Sequence, residues 1–335
     1  MVDWLQKQWA TYTLWHLLLT PLSWLFFVIT RIRVRLYISG WLKSYRLSVP
    51  VIVVGNINVG GTGKTPLVIW LAEQLQQAGY QPGIISRGYG GQIKVAQAVF
   101  ADSNPEMLGD EPVLIAKRTN CPVFVSADRV AAGQALLEVH PECNVIISDD
   151  GLQHYRLQRD VEIVVFDSVK GFGNQALLPA GPLRESVSRL KLVDVVVSNG
   201  KVADLQKFAR VNGVAPVEMQ LQSGDFFNLL DGSKKSVASA FAGQQVLAVA
   251  GIGNPERFFQ QLNRMGISFS SKAYPDHYAF SAYDFMSVNV DVVMTEKDAV
   301  KCQAFAQSNF WVLPVNALIK DDLIALVLNK LSRRE

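Results

Sequence analysis

The sequence predicts an α/β protein: a mostly parallel sheet with helices on both faces, followed by a second, smaller α/β unit. Three observations carry this. Short apolar runs alternate with helix-like stretches from Val49 onward. The first run, Val49 to Val54, leads through a glycine-rich turn into an apolar-periodic segment, Leu67 to Leu75. The same strand, glycine turn and helix order returns near Gln245. Parallel strands need long crossovers, and the crossover helices then cover both faces of the sheet. The chain divides into an N-terminal segment (1–46), a first α/β unit (47–225) and a second unit with a return helix (226–335).

The first turn is the most informative stretch. Asn58, Val59, Gly60, Gly61, Thr62, Gly63, Lys64 and Thr65 follow a strand and open a helix. That context defines a P-loop, and the unit is therefore P-loop NTPase-like. Glycines let backbone N–H groups turn inward around phosphate oxygens, and the new helix points its positive end at the same anion. Lys64 is expected at the β- and γ-phosphates of ATP, and the Thr65 hydroxyl on Mg2+. Asn58 stands where the general motif has glycine. Asparagine tolerates a left-handed backbone better than most residues, so the loop remains feasible. A chance lysine in a glycine-rich turn is the plainer reading, and it leaves the flanking strand and helix unexplained.

Composition narrows the classes. The chain has 335 residues, 49% of them hydrophobic, and a net charge of only +3. That balance offers no footing for nucleic acid. Nothing calls for an obligate protein partner. Cys121, Cys143 and Cys302 show no CxxC spacing, so neither a zinc site nor a disulfide framework is indicated, and a reducing compartment is expected.

The N-terminal segment has its own character. Thr13 to Thr30 is uncharged and mostly apolar, at the short limit for crossing a bilayer. Five of the seven tryptophans (Trp4, Trp9, Trp15, Trp24 and Trp41) lie here. Arg31, Arg33, Arg35, Lys43 and Arg46 follow with no acidic residue among them. Tryptophans suit a membrane interface, and the basic run suits anionic headgroups on the cytoplasmic side. Pro21 would kink a helix, so an interfacial helix fits as well as a spanning one. A cleaved signal peptide lacks its small-residue site. A buried core helix would leave the basic run without a partner.

Further strands are expected at Pro82–Ser86, Pro122–Ser126, Asn144–Ser148, Val161–Phe166 and Val193–Ser198, with helices around Pro66–Ala78, Glu111–Arg118 and Ala127–Val139. Ligands of such sheets sit beyond the carboxyl ends of the strands, where the polar motifs fall. Arg87 opens a loop with three glycines around Tyr89, and is a phosphate contact or a solvated arginine. Asp110 and Glu111 start a helix, either as dipole partners or as a base and an Mg2+ ligand. Asp149 and Asp150 end an apolar strand in the Walker B manner, where a carboxylate holds Mg2+. Adjacent carboxylates repel unless a cation or donors offset them. His154 follows, as a structural hydrogen-bonder or a site residue. Arg184 and Glu185 form a phosphate clamp or a surface ion pair. The loop at Asn199 and Gly200 is expected near the nucleotide base.

Short alternating segments over Val217–Leu230 read as strand or linker, and Phe310–Val315 is expected to pair with them as a hinge. In the second unit, a strand at Gln245–Ala250 leads through Gly251 and Gly253 into a helix ending at Met265. Glu256 replaces the third glycine of a dinucleotide fingerprint, which argues against an NAD site. Asp276 and His277 sit in a turn, with Asp276 placed to orient His277 for acid–base work or simply to cap the turn. Val290–Thr295 is a further strand, and Asp321–Leu331 a closing helix.

In this order, VGNINVGGTGKTP, SRGYGG, GDEP, DDGLQH, PAGPLRE, DHY and TEKDAVK resemble the motifs of the tetraacyldisaccharide 4'-kinases of bacterial lipid A biosynthesis. The likeness spans nearly the whole chain. It implies two α/β/α domains joined by a two-stranded hinge. It implies ATP- and Mg2+-dependent phosphorylation of the 4'-hydroxyl of a tetraacylated glucosamine disaccharide 1-phosphate, giving lipid IVA. The place of work would be an anionic lipid surface, the cytoplasmic face of the inner membrane, reached peripherally or through one N-terminal helix. The family's catalytic aspartate falls on Asp110, its partner histidine on His277, and its DDG aspartates on Asp149 and Asp150. Asn58 matches the family's own form of the loop. Two rivals from other classes are a membrane-tethered P-loop ATPase switch and a non-catalytic scaffold. The paired carboxylates and intact Gly63-Lys64-Thr65 argue against the scaffold.

Overall fold

The computed structural model describes residues 9, 14–88, 93, 95–213, 215–320 and 322–332. The expectations for Trp4, for the Tyr89–Gly91 glycines and for Asp321 as a helix start lie outside them.

The central strand is β1 (Val51–Gly55), buried along its whole length. It pairs in parallel with β5 (Val145–Asp149) on one side and β6 (Val161–Asp167) on the other. Outward from these lie β2 (Pro82–Ser86), β4 (Val123–Val125) and β3 (Gln97–Val99) on one flank. On the other flank lie β7 (Val195–Asn199), β8 (Val217–Ser223) and β15 (Val315–Ile319). Among the described residues the sheet has nine strands, antiparallel only at its two edges.

Alternation explains why both faces are covered. Ile52 and Val54 of β1 join Val145 and Ile147 of β5 in one core, while Val51 and Val53 join Ile146 in the other. Side chains two apart share a face, so a strand apolar at every position must be covered twice. The first face is covered by α2 (Lys64–Gln77) through Leu67, Leu71 and Leu75, spaced four apart as one helical stripe. Also there are α4 (Asp110–Thr119) and α9 (Leu323–Ser332). The second face is covered by α5 (Arg129–Val139) through Val130 and Leu136. A one-turn α3 (Pro105–Leu108) precedes α4, and α6 (Leu205–Asn212) precedes β8.

The second sheet runs β10 (Lys235–Ser236), β9 (Phe226–Asn228), β14 (Phe310–Leu313), β13 (Val292–Thr295), β11 (Gln245–Ala250) and β12 (Ser268–Ala273). Helix α7 (Pro255–Arg264) packs Phe258, Phe259 and Leu262 on one face, and α8 (Glu296–Cys302) packs Ala299 and Cys302 on the other.

The hinge differs from the expected Phe310–Val315 strand. Pro314 divides that run: β14 stays in the second sheet, and β15 crosses to pair antiparallel with β8. Proline has no N–H for a ladder, so the strand changes partner there. β15 and α9 therefore pack with the first sheet, and α9 places Leu323, Val327 and Leu331 in its core. A cavity of about 490 Å3 opens at this crossing, lined by Lys117, Arg118, Lys235 and Phe227 among others, away from the P-loop.

The N-terminal apolar stretch is one helix, α1 (Leu14–Ile38), longer than expected and unbroken through Pro21. It takes in Arg31, Arg33 and Arg35. By length and composition it can cross a membrane. Only His16 and Ser23 of its residues are buried.

Candidate active site

The P-loop leaves β1 at Gly55 and ends at Gly63, whose φ of 93° lies in the left-handed region that glycine adopts without strain. The loop is held from three directions. The Val59 N–H donates to Pro182 O at 2.8 Å, and Asn58 bridges to Leu183. Asn56 Nδ2 donates to Gly60 O at 3.3 Å. Asn199 Nδ2 donates to Thr62 O at 3.0 Å, so the Asn199 loop lies against the P-loop as its position after β7 suggests.

Asp149 lies directly beside Val54 of β1, which brings the strand-end acids to the loop. Asp150, with φ 46°, is gripped by Lys64 Nζ at 3.3 Å and Arg184 Nη1 at 3.3 Å. Burial pushes its carboxyl up, but these two cations outweigh burial and hold it below the ordinary carboxylate value. Asp149 is buried without such partners. It accepts from Ser86 Oγ at 3.2 Å through Oδ2, and Oδ1 has no hydrogen-bond partner among the described residues. Burial, with Glu111 and Asp150 nearby, pushes it up to about 7.

A second cluster straddles the two sheets. Asp110 opens α4 beside the first sheet, and His277 lies in the turn after β12 of the second. His277 Nδ1 is 2.9 Å from Asp110 Oδ2 and 3.1 Å from Oδ1. The Asp110 carboxylate also accepts from the Glu111 N–H at 2.9 Å. Burial raises the Asp110 carboxyl, but the His277 bond and the charges of Lys297 and Lys301 leave it lowered overall. His277 is raised, first by that hydrogen bond, against burial and the nearby Lys297 charge. Its φ of 59° places it in the left-handed region. Gly253 completes the approach: a Cβ there would stand 3.3 Å from Gly61 N of the P-loop and 3.3 Å from Asp276 Oδ2.

The remaining expected residues are distributed as follows. Glu111 and Asp276 both pair with Lys297 Nζ, at 3.0 and 3.1 Å. Asp276 Oδ1 also accepts the His277 N–H at 3.1 Å, the turn-capping arrangement. Glu185 accepts from Tyr155 Oη at 2.6 Å and Gln153 Nε2 at 2.7 Å, and pairs with Arg189 at 3.3 Å, not with its neighbour Arg184. His154 Nε2 accepts the Arg129 N–H at 3.3 Å. Burial, then the Arg129 charge, lowers His154 to about 4, so it is neutral at physiological pH. Arg87 is exposed at the end of β2. Among the described residues no group of three or more His, Cys, Asp or Glu side chains forms a metal cluster by itself.

Over residues 15–332 the chain matches the family model described as Tetraacyldisaccharide-1-P 4'-kinase. The chain belongs to that family. It is 50% identical over 331 residues to the tetraacyldisaccharide 4'-kinase of Methylobacillus flagellatus, covering 98% of this chain and 96% of that one. It is 48% identical over 334 residues to that of Pasteurella multocida, covering 98% of each. A solved structure of LpxK from Aquifex aeolicus in complex with ATP superposes with a TM-score of 0.75 at 29% identity, over 95% of this chain and 100% of that one.

Three residues around this site, Lys297, Arg257 and Arg129, escape a reading of the sequence. Lys297 gathers three carboxylates, with Asp110 Oδ2 at 3.9 Å beside Glu111 and Asp276. Its charge is strengthened despite burial, through Glu111, Asp110 and Asp276. The TEKDAVK motif contains it without marking it. Arg257 of α7 reaches Asp167 Oδ2 at 3.1 Å and Asn199 Oδ1 at 2.9 Å, a second bridge between the sheets. Asn199, whose loop is expected near the nucleotide base, links that bridge to the P-loop. Arg129 is buried behind the aspartates, donating weakly to Asp149 O and Asp150 O at 3.4 and 3.5 Å. Nothing local in the sequence distinguishes an arginine that folds inward at a helix start.

Proposed function

We propose that this chain transfers the γ-phosphoryl group of ATP to the 4'-hydroxyl of a tetraacylated glucosamine disaccharide 1-phosphate, yielding the 4'-phosphorylated lipid A precursor. The observation that carries the reading is the 2.9 Å Asp110–His277 pair, made between the two sheets, with the neighbouring Asp276 beside Gly253 where that glycine meets Gly61 of the P-loop. Phosphoryl transfer asks for positioning and charge neutralisation. Lys64 and Arg184 supply positive charge at the triphosphate. The backbone N–H groups from Gly60 to Thr65 hold its oxygens, the Val59 N–H being taken by Pro182 O. Asp110, kept ionised at neutral pH, takes the proton of the attacking hydroxyl, and His277 holds the carboxylate in place. A chain with these parts in two units works by closing: the second unit brings His277 and Lys297 to Asp110, and opening releases product.

The residues present fit Mg2+. Asp149 has a buried carboxylate oxygen with no protein donor among the described residues, which is a poor place for an anion unless a cation joins it. Thr65 and Asp149 are the groups that would hold the ion, with Asp150 close behind. An Mg2+ ion held by these residues would supply charge neutralisation for the triphosphate.

The acyl chains of the substrate favour work at a bilayer. Helix α1 supports a seat along the cytoplasmic surface of the inner membrane rather than a free span. Ser23, in the uncharged part of the helix, is bonded to the loop carrying Leu177 and Ala180, and a span would draw that loop's polar backbone into hydrocarbon. The deciding experiment combines purified protein, labelled ATP, Mg2+ and detergent-dispersed disaccharide 1-phosphate. Label appearing on the lipid is the expected result. ATP turnover indifferent to the lipid would favour the switch instead.

A further inference from the structure

Helix α1 is apolar and largely exposed, yet it carries two buried polar residues, His16 and Ser23, at 5% and 8% exposure. They lie seven positions apart, two helical turns, and so on one face. Polar groups on a helix meant only for lipid are costly. Here neither faces lipid. Ser23 Oγ donates to Leu177 O at 2.8 Å and accepts the Ala180 N–H at 2.9 Å. His16 Nε2 meets Asn174 Nδ2 at 2.6 Å, and the same amide donates to Ala180 O at 2.9 Å. Just before the helix, Trp9 adds two bonds, accepting from the Asn174 N–H at 2.9 Å and donating to Pro179 O at 3.0 Å.

The segment they hold is a tight knot. Leu178 N–H donates to Leu183 O, Gly181 N–H to Leu177 O, and Leu183 N–H to Ala176 O. A Cβ on Gly181 would lie 2.3 Å from both Ala176 O and Asn174 Oδ1, so the knot admits only glycine there. Its far side is the wall of the P-loop. Pro182 O accepts from Val59, Leu183 bridges to Asn58, and the Arg184 N–H donates to Ile57 O at 2.7 Å. Arg184 then continues to Asp150. One rigid segment thus has the membrane helix bonded to one side and the first half of the phosphate loop to the other.

We propose that His16 and Ser23 are positioning residues for nucleotide binding: by docking α1 on the 174–184 knot they set the geometry of Ile57–Val59 and of Arg184. The helix then does more than anchor. An α1 seated on the body prepares the P-loop for ATP, and an α1 pulled away loosens it. This rests on the reading of Asn58–Thr65 as the nucleotide loop.

The test uses the full chain in detergent. In His16→Leu/Ser23→Ala, equilibrium affinity for ATP and KM for ATP should weaken roughly tenfold, the scale on which one or two buried hydrogen bonds act. KM for the lipid and sedimentation with vesicles should hold, because the helix has become more apolar. His16→Leu/Ser23→Thr, which keeps the hydroxyl and changes His16 alike, should recover part of the ATP affinity, a recovery that general destabilisation would not give. Leu18→Ser lies on the opposite face of α1 and is exposed, and should weaken vesicle binding while ATP affinity stays. Unchanged ATP affinity in the folded double variant would overturn the proposal, since the knot would then hold the loop unaided. So would a loss shared by the Leu18 variant. If wild type binds ATP but leaves the lipid unphosphorylated, the kinase reading fails while this coupling still stands or falls on the affinities.

Discussion

Two turns of the same kind face each other in this molecule, and they do different work. Each joins a buried parallel strand to a helix through glycines: β1 to α2 at Asn56–Gly63, and β11 to α7 at Gly251–Asn254. The first helix opens with Lys64 and Thr65 and has no acid in its first turn. The second opens with Pro255 and Glu256. A helix start favours anions, so an acid there already takes the place a phosphate would occupy. The second turn instead turns its backbone toward the first, with Gly253 against Gly61, and sends Arg257 across to Asp167 and Asn199. Local geometry is shared; on the proposed reading, charge at the helix start decides which turn binds and which one closes.

The division is open to test by substituting groups of each kind and asking whether affinity or turnover moves. The largest effect should come from the group the closing unit meets. Asp110→Asn keeps the shape and the bond from the Glu111 N–H but removes the base. We expect kcat to fall by about 10³ or more with ATP affinity nearly intact. A comparable loss of ATP affinity would move Asp110 from catalysis to loop support. Lys64→Ala strikes the binding turn itself. It should lower kcat by roughly 10²–10³, as for other lost electrostatic donors, and should also weaken ATP binding measured directly by calorimetry. Intact affinity there would sink the assignment of charge to the first turn.

The closing turn should answer differently. Gly253→Val adds a branched side chain where even a Cβ stands 3.3 Å from Gly61 N. Its backbone φ is ordinary, so the added side chain acts by obstruction rather than by strain. We expect kcat to drop about tenfold, as misplacement away from the chemistry does, while the open form still takes up ATP. If kcat is unchanged and ATP affinity falls, the second turn belongs to the binding site and the contrast with the first is wrong.

How much of this was legible depended on sequence distance. The P-loop and the Asp149-Asp150 pair were readable because strand, turn and helix sit within a few residues and their chemistry is local. The parallel sheet was readable because β1, β5, β6 and β7 each carry an apolar run and are buried at every position. Edge elements were not: β12 is exposed along nearly all its length and has no apolar run to betray it. The Asp110–His277 pair joins residues 167 apart, and only the family resemblance linked them. Lys297, Arg257 and Arg129 matter for what folds against them, and a lysine or arginine near a helix start looks the same whether it meets solvent or three carboxylates. His16 and Ser23 stood in plain view within an apolar stretch, but their partners lie more than 150 positions away.

The smallest effect, and the sharpest on closure, is a shift in titration. The imidazole of His277 is raised above its ordinary value, chiefly by the hydrogen bond it donates to Asp110 on the other unit, while burial and the Lys297 charge oppose it. The protonated form is therefore favoured in the closed arrangement. Such a group adds stability that is fully present below the ordinary imidazole value of about 6.5 and is lost as pH rises through the raised one. Removing the partner charge in Asp110→Asn should bring the His277 midpoint down, read by proton NMR of the ring in the full chain. Thermal melts of wild type and His277→Ala should differ most in mild acid and converge as pH climbs past the raised midpoint. An identical His277 midpoint in wild type and Asp110→Asn would mean that the two units do not hold this contact in solution, and the second turn would then be open at rest.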